Sequence, residues 1–280
     1  MRRAFAPLLV LALALALAFL CLPLIAIFAR AGPGEIVEQL GSEAAVDALL
    51  VSLETNLIAQ AIILAVGTPA AYLLAMRRFP GRSLVLTLVE LPLVLPPAVA
   101  GIGLLAAFGS RGLLGDELEV LGVRLPFTEA AVVMAIVFVA SPFYLRQGVA
   151  SFEAVERDLL AAARTLGASP WRVFRRVALP LALAGLGAGA TLSFARGLGE
   201  FGATILFAGS FPGHTQTLPL AIYAEANRPG GFTTALAIGA LLVVVSAAIL
   251  LSAKLAPRWT RSVSSSPSPS GTSSSGFPST

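Results

Sequence analysis

The sequence predicts an all-α fold, a polytopic transmembrane helical bundle of six spans, and three observations carry that expectation. Of the 280 residues, 57% are hydrophobic and only 12% charged, where a soluble domain carries about 25% charge. The apolar residues come in unbroken runs of the roughly 20 residues that a bilayer crossing needs. The arginines stand at the ends of those runs, where they set topology.

Six segments qualify as spans: 5–28, 53–76, 84–108, 130–145, 177–208 and 233–255. The first follows Met1-Arg2-Arg3 and has the position of a secretory signal. Its apolar stretch of 24 residues is too long, since a signal core has about 7–15. Phe19 and Leu20 before Cys21 are not the small residues of a lipoprotein cleavage site. The segment is therefore expected to stay as an anchor.

The third span holds "ELPLVLPPAVAGIG", in which Pro92, Pro96 and Pro97 remove backbone donors, so a kink is expected. It serves either to line a cavity or only to pack. Glu90 stands about two turns inside the cytoplasmic edge. The fifth segment is longer than one crossing requires at about 1.5 Å per residue. There "LSFARGLGEFGATILFAG" inserts Arg196, Gly197, Gly199, Glu200 and Gly202, so a break or bend is expected near its outer end. Arg196 and Glu200 are spaced i, i+4 and can pair. Two readings stand for that pair: an element of the pathway or gate, because ionisable groups at membrane depth are functional by default, or an interfacial structural pair. Gly185 and Gly189 offer a small face for close helix packing.

Orientation follows from the basic residues. With the N-terminus in the cytoplasm, 14 of the 19 fall on the inner side and 5 on the outer, as the positive-inside rule demands. Both termini are then cytoplasmic. The outer loops take most of the acid, with Glu35, Glu38, Glu43, Asp47 and Glu54 in the first and Asp116, Glu117 and Glu119 in the second. Residues 1–261 form the membrane domain. The Ser/Pro/Gly-rich segment 262–280 reads as a disordered cytoplasmic tail.

Several function classes are excluded. The net charge of +4 comes without a basic patch interleaved with aromatics, so no nucleic-acid partner is implied. One cysteine, Cys21, allows no intrachain disulfide. One histidine, His214, argues against an imidazole-based metal site and against a His-centred triad, and no metal is expected. No catalytic residue is expected. A P-loop requires G-x-x-x-x-G-K-[ST], and the sole lysine, Lys254, lies in "ILLSAKLA". The chain is expected to carry no ATPase site of its own.

The polar region 147–176, between spans four and five, is long for a connection between membrane helices. "FEAVERDLLAAARTL" has helix formers throughout, and Gly167 then stands where a C′ glycine ends a helix in the left-handed conformation. Ser169 suits an N-cap and Pro170 the first helical position, so a second helix begins there and runs into span five. Ala161, Ala162, Ala163, Gly167 and Ala168 leave one side low, and Arg164, Arg172, Arg175 and Arg176 surround it with donors. A loop that only orients the protein explains the arginines, but not the break or the small surface. A docking element for a cytoplasmic partner explains all three.

That segment resembles the EAA loop of ATP-binding-cassette importer permeases: E-A-A, three residues, Gly, nine residues, Ile-x-Leu-Pro. Ala162, Ala163, Gly167, Val177, Leu179 and Pro180 match, and Ala161 stands where the motif has glutamate. The resemblance implies a type I importer permease-like fold and a coupling helix seated on an ATPase subunit. The docking residues would be Ala161, Ala162, Ala163, Arg164, Thr165, Leu166, Gly167, Ala168, Ser169, Trp171 and Arg172. "LPPAVAGIGLLAAFG", "FARGLGEFGAT" and "TQTLPLAIY" further resemble the molybdate/tungstate permease subunits of the oxyanion importers. Sulfate/thiosulfate permeases share the "LGEFG" segment and remain the alternative. The resemblance implies a homodimer in the bacterial cytoplasmic membrane, two ATPase subunits that bind ATP and Mg, and an extracytoplasmic oxyanion-binding protein. No cofactor is expected on this chain. Candidates for the pathway or gate are Pro96, Pro97, Arg196, Glu200 and Thr204. An ATP-independent secondary transporter would need no docking loop and would show intramembrane carboxylate or histidine relays, which are sparse.

Overall fold

A computed structural model of the protein describes residues 2–255, with helices joined by short turns and no strand among the described residues. The expected tail, 262–280, lies outside the described residues. Helix α1 (Arg2–Arg30) tolerates Pro7 and Pro23 in an otherwise unbroken apolar run, as membrane helices do. Its apolar side chains are exposed, with Phe19 at 77%, so lipid must cover them. A short helix, α2 (Pro33–Leu40), leads to α3 (Glu43–Met76).

Helix α3 begins about ten residues before the expected span. Ser42 caps it, its side chain accepting the Ala45 N–H, and Ala45 and Ala48 are buried in a small cluster with Leu218 and Ile238. Glu43, Asp47 and Glu54, expected in an outer loop, therefore stand on the helix itself. Glu43 in the first turn complements the helix dipole.

The expected third span is two helices, α4 (Arg82–Val94) and α5 (Pro97–Phe108), meeting at 114°. The cause is the proline pair. Each residue before a proline is driven out of the α region, and Leu95 and Pro96 both adopt ψ 133°. A short α6 (Gly115–Val120) then precedes α7 (Glu129–Glu153). Helix α7 outruns the expected 130–145 by eight residues, because Gln147 and Ser151 are polar but do not break a helix. Ser151 donates to the Gln147 carbonyl at 2.6 Å, and Gly148 lets Ala71 of α3 come close.

Next come α8 (Arg157–Thr165), α9 (Pro170–Val173), a π-helical turn over Phe174–Ala178, and α10 (Leu179–Leu198). Residues 170–198 run as one apolar span. The expected single span 177–208 is thus corrected at both ends: it starts at Pro170 and stops at Leu198. After the break come α11 (Gly202–Phe207), α12 (Leu218–Ala226) and α13 (Phe232–Leu255).

Helices α3, α7 and α10 form the centre, with Ala59, Ala71, Ala135, Ala140 and Ala182 buried along their seams. Small residues suit this place, because lipid is as apolar as leucine and close packing must supply the attraction. Larger plugs, Tyr144 and Phe152, are 1% and 0% exposed. Helices α3 and α7 run the same way: Asn56 and Ile136 both flank Gly197, and Gly67 meets Tyr144 further along. Helix α10 runs against them. The bundle therefore has a loop end, where Met76, Glu153 and α8 gather, and a far end, where Glu129 and Leu198 lie. Helix α4 starts at the loop end, since Arg82 donates to the Leu74 carbonyl at 2.7 Å and pairs with Glu153. The chain must reach the far end before α7 begins, so α4 and α5 together make one broken passage.

Candidate functional site

The first candidate region is the loop end. The helix expected over 152–166 is interrupted at Ala154–Glu156, because α7 stops at Glu153 and α8 restarts at Arg157. No breaker residue marks this stop in sequence. The turn places Val155 and Leu160 in the core at 7% and 3% exposure, and burial overrides local preference there. Asp158 in the first turn of α8 and Arg164 in its last both favour its dipole.

Gly167 then takes φ 78°. Its N–H donates to the Arg164 carbonyl at 2.9 Å and the Ala168 N–H to the Ala163 carbonyl at 3.1 Å, which together make a Schellman cap. Two residues on, the Ser169 side chain accepts the Arg172 N–H and Pro170 opens α9. Val173 is fully buried, and Phe174 packs against Tyr72 at a ring-centroid distance of 4.8 Å and against Trp171 at 5.5 Å.

Between these anchors the surface is open. Ala161, Ala162, Arg164, Thr165, Gly167, Ser169 and Arg172 are exposed, while Ala163 and Ala168 are half-buried. Leu166 is 88% and Trp171 66% exposed. Two large apolar side chains thus stand exposed among arginines, on a polar turn anchored from beneath by Val173 and Phe174.

The second region is where the two broken spans meet. The break after α10 comprises Gly199, Glu200 and Phe201. Glu200 is buried, and its Oε1 accepts the Ala203 N–H at 2.7 Å. That bond satisfies one of the free donors at the start of α11. Its Oε2 lies 2.7 Å from Arg196 Nη2. Helix α11 packs on α5 through two glycines. A Cβ on Gly202 would lie 2.8 Å from the Pro97 Cβ, and one on Gly101 2.8 Å from the Ala203 carbonyl oxygen.

Pro97, Arg196, Glu200 and Thr204 thus belong to one neighbourhood, with Pro96 exposed at its edge. Thr204 is fully buried and its hydroxyl has no hydrogen-bond partner. Phe127 closes the region from the α7 side: its N–H donates to the Phe207 carbonyl at 3.2 Å, with φ at 62°. A bulky residue is rare in that conformation.

A third set was not singled out by sequence reasoning. Ser52, Asn56 and Gln60 lie on one face of α3 and are buried. The Asn56 side chain donates to the Phe194 carbonyl at 2.9 Å, Ser193 donates to Gln60 at 3.2 Å, and Ser52 accepts the Leu218 N–H at 2.7 Å. Asn56 lies against Gly197, where a side chain would collide with it. Asn56 and Gln60 pin α10 to α3 just before the break, and Ser52 pins the start of α12 to α3. Their spacing of four within an apolar run was the available signal.

A bundle with one broken span packed on another, and an exposed turn at the opposite end, fits the membrane subunit of a transporter. The comparisons agree. Residues 63–261 match the family described as binding-protein-dependent transport system inner membrane component, and the chain belongs to that family. It is 42% identical over 235 residues to the molybdenum transport system permease protein ModB of Mycobacterium tuberculosis, covering 83% of this chain and 88% of the relative. It is 40% identical over 218 residues to ModB of Escherichia coli, covering 78% and 93%. The sulfate transport system permease protein CysW of Synechococcus elongatus is 34% identical over 216 residues, covering 76% of each. Among solved structures, a bacterial alginate ABC transporter in complex with an alginate pentasaccharide-bound periplasmic protein has the same fold. Its matched chain gives a TM-score of 0.71 at 18% identity, with 91% of this chain and 94% of that one covered.

Proposed function

We propose that this chain is the permease subunit of an ABC importer that carries molybdate, and tungstate with it, across the bacterial cytoplasmic membrane. The observation that carries the reading is the 42% identity to a molybdenum permease over 83% of the chain, against 34% over 76% for the sulfate permease. In this reading two copies form a homodimer. The loop end is cytoplasmic, as are both termini, and the α8–α9 turn seats an ATPase subunit. Each ATPase subunit holds ATP and Mg. An extracytoplasmic binding protein delivers the anion at the far end, where Asp116, Glu117 and Glu119 lie on α6. Pro96, Pro97, Arg196, Glu200 and Thr204 belong to the gate, formed where α5 meets α11.

Molybdate, tungstate and sulfate are tetrahedral dianions of different size. A wide passage cannot separate them by charge, so selection rests with the binding protein, whose hydrogen-bonded site can measure the anion. The test is reconstitution with each candidate binding protein and ATPase subunit, following ATP-dependent uptake of labelled molybdate and sulfate. Molybdate uptake with a molybdate-binding protein is the expected result. Sulfate uptake with a sulfate-binding protein, and no molybdate uptake, would favour the sulfate-permease reading, which the CysW similarity keeps open.

Orientation has its own test. In a chain with Cys21 replaced by serine, cysteine at Leu166 is expected to react with an impermeant maleimide only from the cytoplasmic side. Cysteine at Val120 is expected to react only from outside. The opposite pattern would reject the docking assignment.

A further inference from the structure

The Arg196–Glu200 pair is asymmetric. The Glu200 side chain is 1% exposed; Oε1 accepts the Ala203 N–H, and Oε2 lies 2.7 Å from Arg196 in an ion pair without an aligned hydrogen bond. The Arg196 side chain is 26% exposed, and Glu200 is its one polar partner among the described residues. A guanidinium carries five N–H donors in a fixed fork that matches oxyanions. Among the described residues, none of those donors has a protein acceptor other than Glu200. Arginine at membrane depth ordinarily faces a partner or a water-filled cavity.

A structural role accounts for only half of the arrangement. The start of α11 needs an acceptor for the Ala203 N–H, and a neutral Ser, Thr or Asn would supply one. A buried carboxylate brings a desolvation cost that a neutral cap avoids, and then requires a cation beside it. The chain keeps both charges, and it keeps them where the two broken spans touch, because Gly202 is two residues from Glu200 and rests on Pro97. Of the other ion pairs on the spans, Arg82 with Glu153 has side chains 28% and 49% exposed, and Arg146 with Glu90 is 3.8 Å long with side chains 71% and 46% exposed. Neither has comparable burial.

We propose that Arg196 is the contact a tetrahedral dianion makes as it passes the two breaks, and that Glu200 is a tethered counter-anion that keeps the contact brief. The proposal rests on the oxyanion-permease reading and adds a site to it. Charge interactions strengthen as water is excluded, so a lone guanidinium in the passage would hold a dianion and stall it. With Glu200 in place, the dianion meets a cation already half-satisfied. It gains the open donors and leaves when the carboxylate reclaims the guanidinium.

The experiment uses the purified permease with its ATPase subunit and labelled molybdate as the probe. Glu200→Gln keeps an amide oxygen for the Ala203 N–H and loses the charge. Without binding protein, the Glu200→Gln complex is expected to bind molybdate at least about tenfold more tightly than wild type, with affinity falling as salt rises. The double variant Arg196→Gln/Glu200→Gln is expected to lose that binding. In proteoliposomes, uptake by Glu200→Gln should fall while ATP hydrolysis continues. No gain in binding for Glu200→Gln, or equal binding by the double variant, would overturn the proposal. Should Glu200→Gln fail to assemble, the charge-free double variant decides. A severalfold fall in molybdate carried per ATP hydrolysed supports the contact, and an unchanged ratio rejects it. A wild-type complex that imports sulfate and no molybdate leaves the site open to the same binding test with labelled sulfate. A wild-type complex that imports neither anion refutes the permease reading and the site with it.

Discussion

Two of the chain's helix breaks, at Thr165–Pro170 and Leu198–Gly202, solve the same physical problem differently. Between Thr165 and Pro170 the free backbone groups are satisfied by neutral means: a Schellman cap at Gly167 and the Ser169 side chain. Between Leu198 and Gly202 the job falls to a buried carboxylate held by an arginine. The first break faces water, which takes up any donor left over, so cheap caps suffice. The second is packed among helices, where an unmet donor or charge costs several kcal/mol. A membrane protein that places a charged pair there has accepted a cost that the water-side break shows to be avoidable. On the proposed reading, the first break serves as a surface and the second as a mechanism.

Substitutions break this comparison from either side. The largest effect is expected from Glu200→Ala, which leaves the Ala203 N–H uncapped and Arg196 without its partner. By analogy with other broken buried pairs the loss should be about 3–5 kcal/mol, read as a fall in thermal stability of the detergent-solubilised protein. Gly101→Leu comes next. A side chain there meets the Ala203 backbone rather than a flexible side-chain end, so α5 and α11 must separate. The expected cost is about 1–3 kcal/mol, with uptake lost even where the protein inserts.

At the water-side break, Gly167→Val places a β-branched residue at φ 78°, with an expected cost of about 1–2 kcal/mol. Insertion should survive while binding of the ATPase subunit falls, which a pull-down reads. Ser169→Ala should have the smallest effect, about 0.5 kcal/mol, because its bond to the Arg172 N–H is long at 3.4 Å and exposed. A loss from Ser169→Ala as large as that from Glu200→Ala would undo the contrast between the two breaks.

How much of this was legible in sequence differs between the two regions for the same reason. The loop-end turn is local: Gly at a C′ position, then Ser and Pro, specify cap geometry within a few residues. The second helix beginning at Pro170 could therefore be read directly. The break at Ala154–Glu156 could not, because no residue there breaks a helix and only the core position of Val155 and Leu160 demands the turn. The prolines of the third span announced a kink but not its size. Two successive prolines set two residues at ψ 133° in a row, and the helices on either side meet at 114°, with Pro97 resting on Gly202.

Arg196 and Glu200 were visible as an i, i+4 pair. The cap that Glu200 makes on α11 was not visible, since it depends on where α10 stops. The polar face of Ser52, Asn56 and Gln60 went unread because three uncharged residues barely dent the hydropathy of α3. Their spacing carried the signal.

The central claim is that the two breaks do separate work, one holding a motor and the other handling the anion. The most direct test compares Gly167→Val with Glu200→Gln in one experiment, measuring how much ATPase subunit co-purifies with each at equal permease yield. Loss of the ATPase subunit from Gly167→Val, with wild-type amounts retained by Glu200→Gln, is the predicted result. Equal retention by both, or loss from Glu200→Gln alone, would contradict it.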